Sequence, residues 1–183
     1  MKLTTHQVTS AGLLSALTVV LGVTGTGLVP VPTPAVFATI MHIPVILGGV
    51  LQGPLVGGFI GLLFGLFTLS AVPDPRIVIP ARLIIGLVSY IAYGGTLRLL
   101  SRRPGTTDAR PRFALAGAVA GVLGTVTNTV GTLSLAVVFN YINMPVAIGI
   151  ALANGIPEAI IAAVIVGGLM SIIGPMYKGR YKQ

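Results

Sequence analysis

Five polar side chains stand inside otherwise apolar stretches: His42, Arg82, Asn128, Asn154 and Glu158. Polar and ionisable groups are costly in hydrocarbon, and an ionisable one there usually marks a binding site, an ion path or an ion pair. Arg82 offers a planar positive fork that matches a carboxylate or phosphate. Asn128 and Asn154 can each donate and accept hydrogen bonds, and Glu158 can accept hydroxyls or balance a cation. Asn154 and Glu158 are four residues apart, which puts them on one face of a helix. Each has an ordinary reading when taken alone. Arg82 can snorkel to an interface, Glu158 can pair with Arg82, and His42 can be a hydrogen-bonded core residue. His42 and Glu158 are also possible metal ligands, but no H-E-x-x-H, no cysteine and no second intramembrane histidine accompany them. No metal site, cofactor or catalytic residue is expected. A P-loop is absent, so the chain cannot use ATP itself, and without cysteine it has neither disulfide nor thiol chemistry.

The elements that carry these residues belong to a membrane protein. Of 183 residues 54% are hydrophobic and 8% charged, and the mean hydropathy is +0.99. That is too little charge to cover a soluble domain. In lipid every backbone group must bond internally, which leaves helices or a closed barrel. The apolar runs lack period-two alternation, so the expected fold class is all-α. It is an integral membrane six-helix bundle, a single transmembrane domain over 1–183. The spans run Val8–Leu28, Ala35–Leu51, Leu55–Ala71, Ile77–Leu100, Phe113–Phe139 and Val146–Met176. The second and third are short, and a re-entrant hairpin that leaves four full spans is the alternative. Lys2 ahead of an apolar stretch resembles a signal peptide, but the stretch is expected to stay as the first span.

The net charge of +8 would suggest nucleic acid for a soluble protein. Its distribution argues for a bilayer instead. Lys2, Arg98, Arg102, Arg103, Arg110, Arg112, Lys178, Arg180 and Lys182 fall on one side of a six-span layout, leaving Arg76 and Arg82 towards the other. The positive-inside rule makes both termini cytoplasmic. His42, Arg82, Asn128, Asn154 and Glu158 then all lie between the outer surface and the midplane, as a polar cavity open to the outside would require.

Small residues recur at helical spacing: Gly53, Gly57, Gly61 and Gly65; Ala116, Ala120 and Gly124, followed by Asn128 and Thr132; and Ala147, Ala151, Gly155, Ala159, Ala163 and Gly167. Such ridges let helix backbones approach closely and are expected to pack inside the bundle. In the first span Gly12 and Ala16 form one small-xxx-small pair and Ala11 and Ser15 another. Either can pack internally or present a docking face to a separate subunit. Pro44 and Pro157 each free a carbonyl and are expected to kink their helices. The Pro-rich stretch Thr24–Pro34 is a stiff outer loop that can cover one end of the bundle.

Several segments together resemble the substrate-binding S components of energy-coupling-factor (ECF) vitamin transporters, over essentially the whole chain. They are the small-xxx-small first helix, H-I-P-V-I-L-G-G-V-L-Q-G-P-L-V-G-G at His42–Gly58, F-G-L-F-T-L-S at Phe64–Ser70 and I-P-A-R at Ile79–Arg82. G-T-V-T-N-T at Gly124–Thr129 and N-G-I-P-E at Asn154–Glu158 complete the set. The resemblance implies capture of a water-soluble vitamin under the first outer loop, in the cell membrane. It also implies coupling to a transmembrane T subunit and two cytosolic ATPase subunits. The family's A-x-x-x-A docking motif falls on Gly12 and Ala16, with glycine in place of the first alanine. Met1-Lys2-Leu3 departs from the Met-x-His start of metal-specific relatives. The Pro-Arg and Thr-Asn-Thr segments are most similar to pantothenate-type members, and the scarcity of aromatics disfavours flavin, thiamin or folate rings. Biotin or another acidic precursor is the next choice.

Two other classes remain open at the level of sequence. A membrane-embedded enzyme acting on a lipid or isoprenoid would use Glu158 and His42 as acid and base. A passive channel would need a continuous polar path, which the inner halves of these helices do not offer.

Overall fold

The computed structural model of the chain describes residues 4–30, 37–101 and 110–177. Helix α1 is Thr5–Val23, started by a capping box in which the Thr4 hydroxyl accepts from the Gln7 amide and the Gln7 side chain accepts from the Thr4 amide. A short antiparallel ladder follows, β1 (Leu28–Pro30) with β2 (Phe37–Thr39). Then come α2 (Ile43–Gln52), α3 (Pro54–Thr68), α4 (Pro75–Ser101) and α5 (Arg110–Val138). The last run is α6 (Met144–Ile150), a π-helical segment at Ala151–Gly155, and α7 (Ile156–Ile173). Among the described residues the fold is all-α apart from the two three-residue strands, which agrees with the expected fold class. Among the described residues four helices are long and apolar enough to cross a membrane: Thr5–Val23, Pro75–Ser101, Arg110–Val138 and Met144–Met176.

The second run departs most from expectation. Its apolar character begins at Ala35, yet the helix begins only at Ile43, because Phe37–Thr39 is extended and paired with β1. Ten residues rise ~15 Å, about half a hydrocarbon core. Pro44 also behaves differently from the expected kink: it occupies the first turn of α2, where the missing N–H has no helical partner to lose. Gly53 then turns the chain into α3 at φ 101°, a conformation that a side chain would strain. Pro32, Pro34, Lys2, Arg102, Arg103, Lys178, Arg180 and Lys182 lie outside the described residues.

Helix α2 is the centre of the bundle. Nine of its ten residues are buried, and it packs against α1, α3, α4, α5 and α7. Close approach there depends on three glycines. A Cβ on Gly49 would sit 2.2 Å from the Gly86 carbonyl oxygen, and one on Gly86 would sit 2.5 Å from the Gly57 carbonyl carbon. The α3 ridge extends this seam, since a Cβ on Gly61 would lie 2.3 Å from the Arg82 carbonyl oxygen. The α5 and α7 backbones meet likewise, at Gly121 against Ala162 and at Gly117 against Val166. Ile46, Ile60, Phe64, Ile85, Ala120 and Val166 fill the space between these contacts. Helix α1 is peripheral by contrast, with only Ser15 and Thr18 buried.

Candidate functional site

The glycine seam fixes where α4 stands, and therefore where Arg82 stands. Arg82 is buried in the second turn of α4, its guanidinium 4.9 Å from the centre of the Phe64 ring on α3. Its Nη1 donates to the Thr132 hydroxyl on α5, which itself donates to the Asn128 carbonyl at 2.7 Å. One turn earlier on the same α5 face, Thr125 Oγ1 lies 2.9 Å from His42 Nε2. The Thr125 hydroxyl also bonds back to the Gly121 carbonyl at 2.9 Å. Thr125, Asn128 and Thr132 thus form a polar stripe that receives His42 from α2 and Arg82 from α4.

Glu158 approaches from α7. Its Oε1 accepts the backbone N–H of Thr39 at 2.7 Å, so the carboxylate holds the end of β2 three residues before His42. Arg82 is within electrostatic reach of both Glu158 and His42, yet no ion pair within 4 Å joins Arg82 to Glu158. Asn154 is buried in the π segment just before α7. Pro157 occupies the first turn of α7. A π turn re-aims side chains relative to a regular helix and recurs at functional sites.

All five sequence candidates are therefore buried: His42, Arg82, Asn128, Asn154 and Glu158. Hydrogen bonds link Arg82 to the Asn128 turn, and His42 to the same stripe. Several of their atoms lack partners, namely His42 Nδ1, Arg82 Nε and Asn128 Oδ1. A buried polar atom without a partner costs about 1–3 kcal/mol, more when charged. This arrangement combines one unneutralised cation with acceptors that want a donor, which suits a small anion carrying hydroxyl or amide groups. Sequence reasoning did not single out Thr39, Phe64 or Thr125. The i, i+3, i+7 spacing of Thr125, Asn128 and Thr132 was a signal that could have found the stripe.

The apolar depressions along the outside of the bundle are separate from these residues. Two grooves of about 410 and 270 Å³ run along the seam of α5 with α6, the π segment and α7, sharing Val130 and Ala151. None of the five polar candidates lines either groove.

Gly12 and Ala16 are exposed, and a Cβ on Gly12 would meet nothing within 4 Å. Ala11 packs on the core cluster and Ser15 is buried. Of the two small-residue pairs on α1, one therefore faces inward and the other away from the bundle.

A second charged cluster lies at the start of α4. Asp74 caps this helix, accepting the Arg76 N–H at 2.9 Å, and its carboxylate meets the Arg76 guanidinium at 2.8 and 3.1 Å. Those bonds hold the Asp74 carboxyl down at about 2. The Arg76 guanidinium stacks 4.5 Å from the Phe139 ring.

In comparison with known proteins, the family model described as ECF transporter, substrate-specific component, matches residues 6–173. No individual curated protein matches the chain.

Proposed function

The chain belongs to the substrate-specific components of ECF transporters, and from that premise we propose that it captures a small anionic vitamin, pantothenate in the first instance. As a member of that family it is a multi-pass, substrate-binding transporter subunit rather than an enzyme. The observation that carries the ligand reading is Arg82: a buried guanidinium with, among the described residues, no carboxylate within 4 Å and an unpartnered Nε. Leaving a buried charge unpaired is strongly unfavourable, so the position makes physical sense when an anion completes it. Asn128 Oδ1 and His42 Nδ1 supply acceptors for hydroxyl or amide donors on the same ligand, and the buried Asn154 and Glu158 are further candidates for ligand contact. Pantothenate carries one carboxylate, one amide and two hydroxyls, and no ring that needs an aromatic platform.

In this reading the protein lies in the cell membrane with both termini cytoplasmic, and Gly12 and Ala16 form the strip on which a T subunit packs. Uphill transport is driven by two cytosolic ATPase subunits. Native mass spectrometry of gently purified protein tests the ligand, followed by calorimetry with pantothenate, its carboxamide and biotin. Pantothenate should bind and its carboxamide should bind far more weakly. Equal affinity for acid and carboxamide would remove Arg82 from ligand recognition, and retention of biotin instead would correct the vitamin. For docking, Gly12→Leu or Ala16→Leu should leave pantothenate binding intact and abolish co-purification with the T subunit; normal uptake by both variants would sink the strip.

A further inference from the structure

Beyond its first two turns, helix α1 presents apolar side chains to both the bundle and the outside. Leu13, Leu17, Val19, Val20 and Val23 are exposed, while Leu14 and Leu21 pack on the core. In water such a helix would turn its apolar face inward, but lipid is as apolar as the core and gives no such preference. Something else must choose which face of α1 looks outward. At about 100° per residue a small rotation would exchange the Gly12–Ala16 strip for its neighbours.

The hydrogen bonds from α1 side chains to the rest of the bundle gather at one end. Gln52 closes α2 and is buried. Its Nε2 reaches the Ser10 hydroxyl at 3.0 Å and His6 Nδ1 at 3.3 Å, and its carbonyl accepts from Gln7 Nε2 at 3.2 Å. His6 and Ser10, one turn apart, and Gln7 beside them form a single face of the first α1 turns, and that face converges on one residue of the central helix. Higher up, the Thr18 hydroxyl bonds within α1 to the Leu14 carbonyl at 2.9 Å, and Ser15 Oγ has no partner. Neither ties the rotation of α1 to another helix.

We propose that the His6–Gln7–Ser10–Gln52 cluster is a rotational key: it sets the angle of α1 about its own axis and so turns Gly12 and Ala16 away from the bundle. Polar groups in an otherwise uniform apolar interface specify register in this way at some cost in stability. The role of the cluster rests on the docking reading of Gly12 and Ala16. Gln52, Gln7, Ser10 and His6 are positioning residues, since none lies with the ligand-binding polar groups. Gln52 ends the helix that His42 immediately precedes, so the key is set on the element that seats His42.

Nitroxide scanning tests the key on the isolated protein, and the cysteine-free sequence makes single labels unambiguous. Labels placed in turn at positions 11 to 20 should show O₂ collision rates that are high at the exposed Gly12, Leu13, Ala16, Leu17, Val19 and Val20 and fall at Ala11, Leu14, Ser15 and Thr18. In Gln52→Leu this periodicity should flatten or shift in phase, while calorimetric affinity for pantothenate stays within twofold of the parent. Where Gln52→Leu does not fold, the double variant Gln7→Leu/Ser10→Ala makes the same measurement from the α1 side. An unchanged periodicity would overturn the proposal, because apolar packing alone would then orient α1. A shifted periodicity with undiminished T-subunit co-purification would support the key and instead overturn the docking strip.

Discussion

Arg76 and Arg82 stand six residues apart on α4, and each lies over a phenylalanine ring, at 4.5 and 4.9 Å. Everything else about them differs. The Arg76 side chain is 66% exposed and is paired with Asp74, where water would have solvated it in any case. Arg82 is 6% exposed and, among the described residues, has a hydroxyl and a ring beside it but no carboxylate within 4 Å. Stability alone would favour the reverse, since a buried charge needs a counter-charge far more than an exposed one does. This contrast is what supports the proposed reading of Arg82 as a binding group, with Arg76 a corner fastening at the rim. The glycine seam is what keeps Arg82 where it is.

The largest effect should come from removing that seat. Gly61→Ala puts a methyl within 2.3 Å of the Arg82 carbonyl oxygen, a backbone atom that no rotamer change can move aside. Overpacking costs about 1–3 kcal/mol and occasionally more, and here the shift also drags Arg82 out of register. Both the melting temperature and pantothenate affinity should fall. Gly58→Ala, whose added methyl would come no closer than 3.8 Å to the Leu83 carbonyl oxygen, should change neither. If the two alanines behave alike, the seam does not position Arg82.

Next in size is Arg82→Ala. Truncating one partner of a buried, hydrogen-bonded charge pair costs about 2–5 kcal/mol, or a factor of roughly 30 and upward in affinity. Calorimetry should show that loss for pantothenate, with a smaller difference for the carboxamide, while Arg76→Ala binds both normally. A large effect from Arg76 and none from Arg82 would invert the comparison.

The sequence revealed these two arginines unequally. Arg82 stood out because a charge inside an apolar run is conspicuous, and the boundaries of α4 and α5 were legible from continuous hydropathy. The start of α2 was not, because Ala35–Leu51 is apolar throughout and hydropathy cannot separate a buried strand from a helix. Nor could it show that Thr39 lies on Glu158 across 119 positions. Thr125 was masked by its chemistry: threonines in apolar helices commonly bond their own backbone, so only its i, i+3, i+7 spacing with Asn128 and Thr132 set it apart from Thr127, whose hydroxyl bonds the Leu123 carbonyl. The π segment left no recognisable mark either. For Gly12 and Ala16 spacing identified the strip, and only the packing of α1 decided which way it faced.

Glu158 sharpens the contrast at intermediate size. Its carboxylate is buried like Arg82 but is engaged by the Thr39 amide rather than by a cation. Glu158→Gln keeps an acceptor oxygen and loses the charge. A hydrogen bond to a charged group contributes about 1.5–3 kcal/mol against about 0.5–1.5 for a neutral one. The ligand-free protein should therefore lose ~1 kcal/mol, or roughly 2–4 °C in Tm for a chain of this size. Glu158→Leu removes the acceptor and should lose more. Equal melting temperatures for wild type, Glu158→Gln and Glu158→Leu would show that the β2 contact carries no weight.

The smallest effect belongs to the rim. Asp74 does two jobs, capping α4 through the Arg76 N–H and pairing with the Arg76 guanidinium. Asparagine caps a helix about as well as aspartate, so Asp74→Asn isolates the charge. The carboxyl titrates at about 2 in the folded chain against an ordinary 3.8. A depressed pKa means that the pair stabilises the fold fully above the unfolded value, and that this contribution fades as pH falls from about 4 to about 2. Near neutral pH the variant should melt below wild type by a modest amount, since Asp74 is buried but its partner Arg76 is mostly exposed and solvent screens the pair. Lowering the pH through that window should close the gap, because protonated wild type has then lost the same charge. Pantothenate binding should be unchanged at pH 7, since Asp74 and Arg76 serve the corner and not the site. A gap that widens with acid would mean the Asp74 carboxylate is not held down by Arg76. A loss of binding would mean that the rim and the interior of α4 are not separate regions.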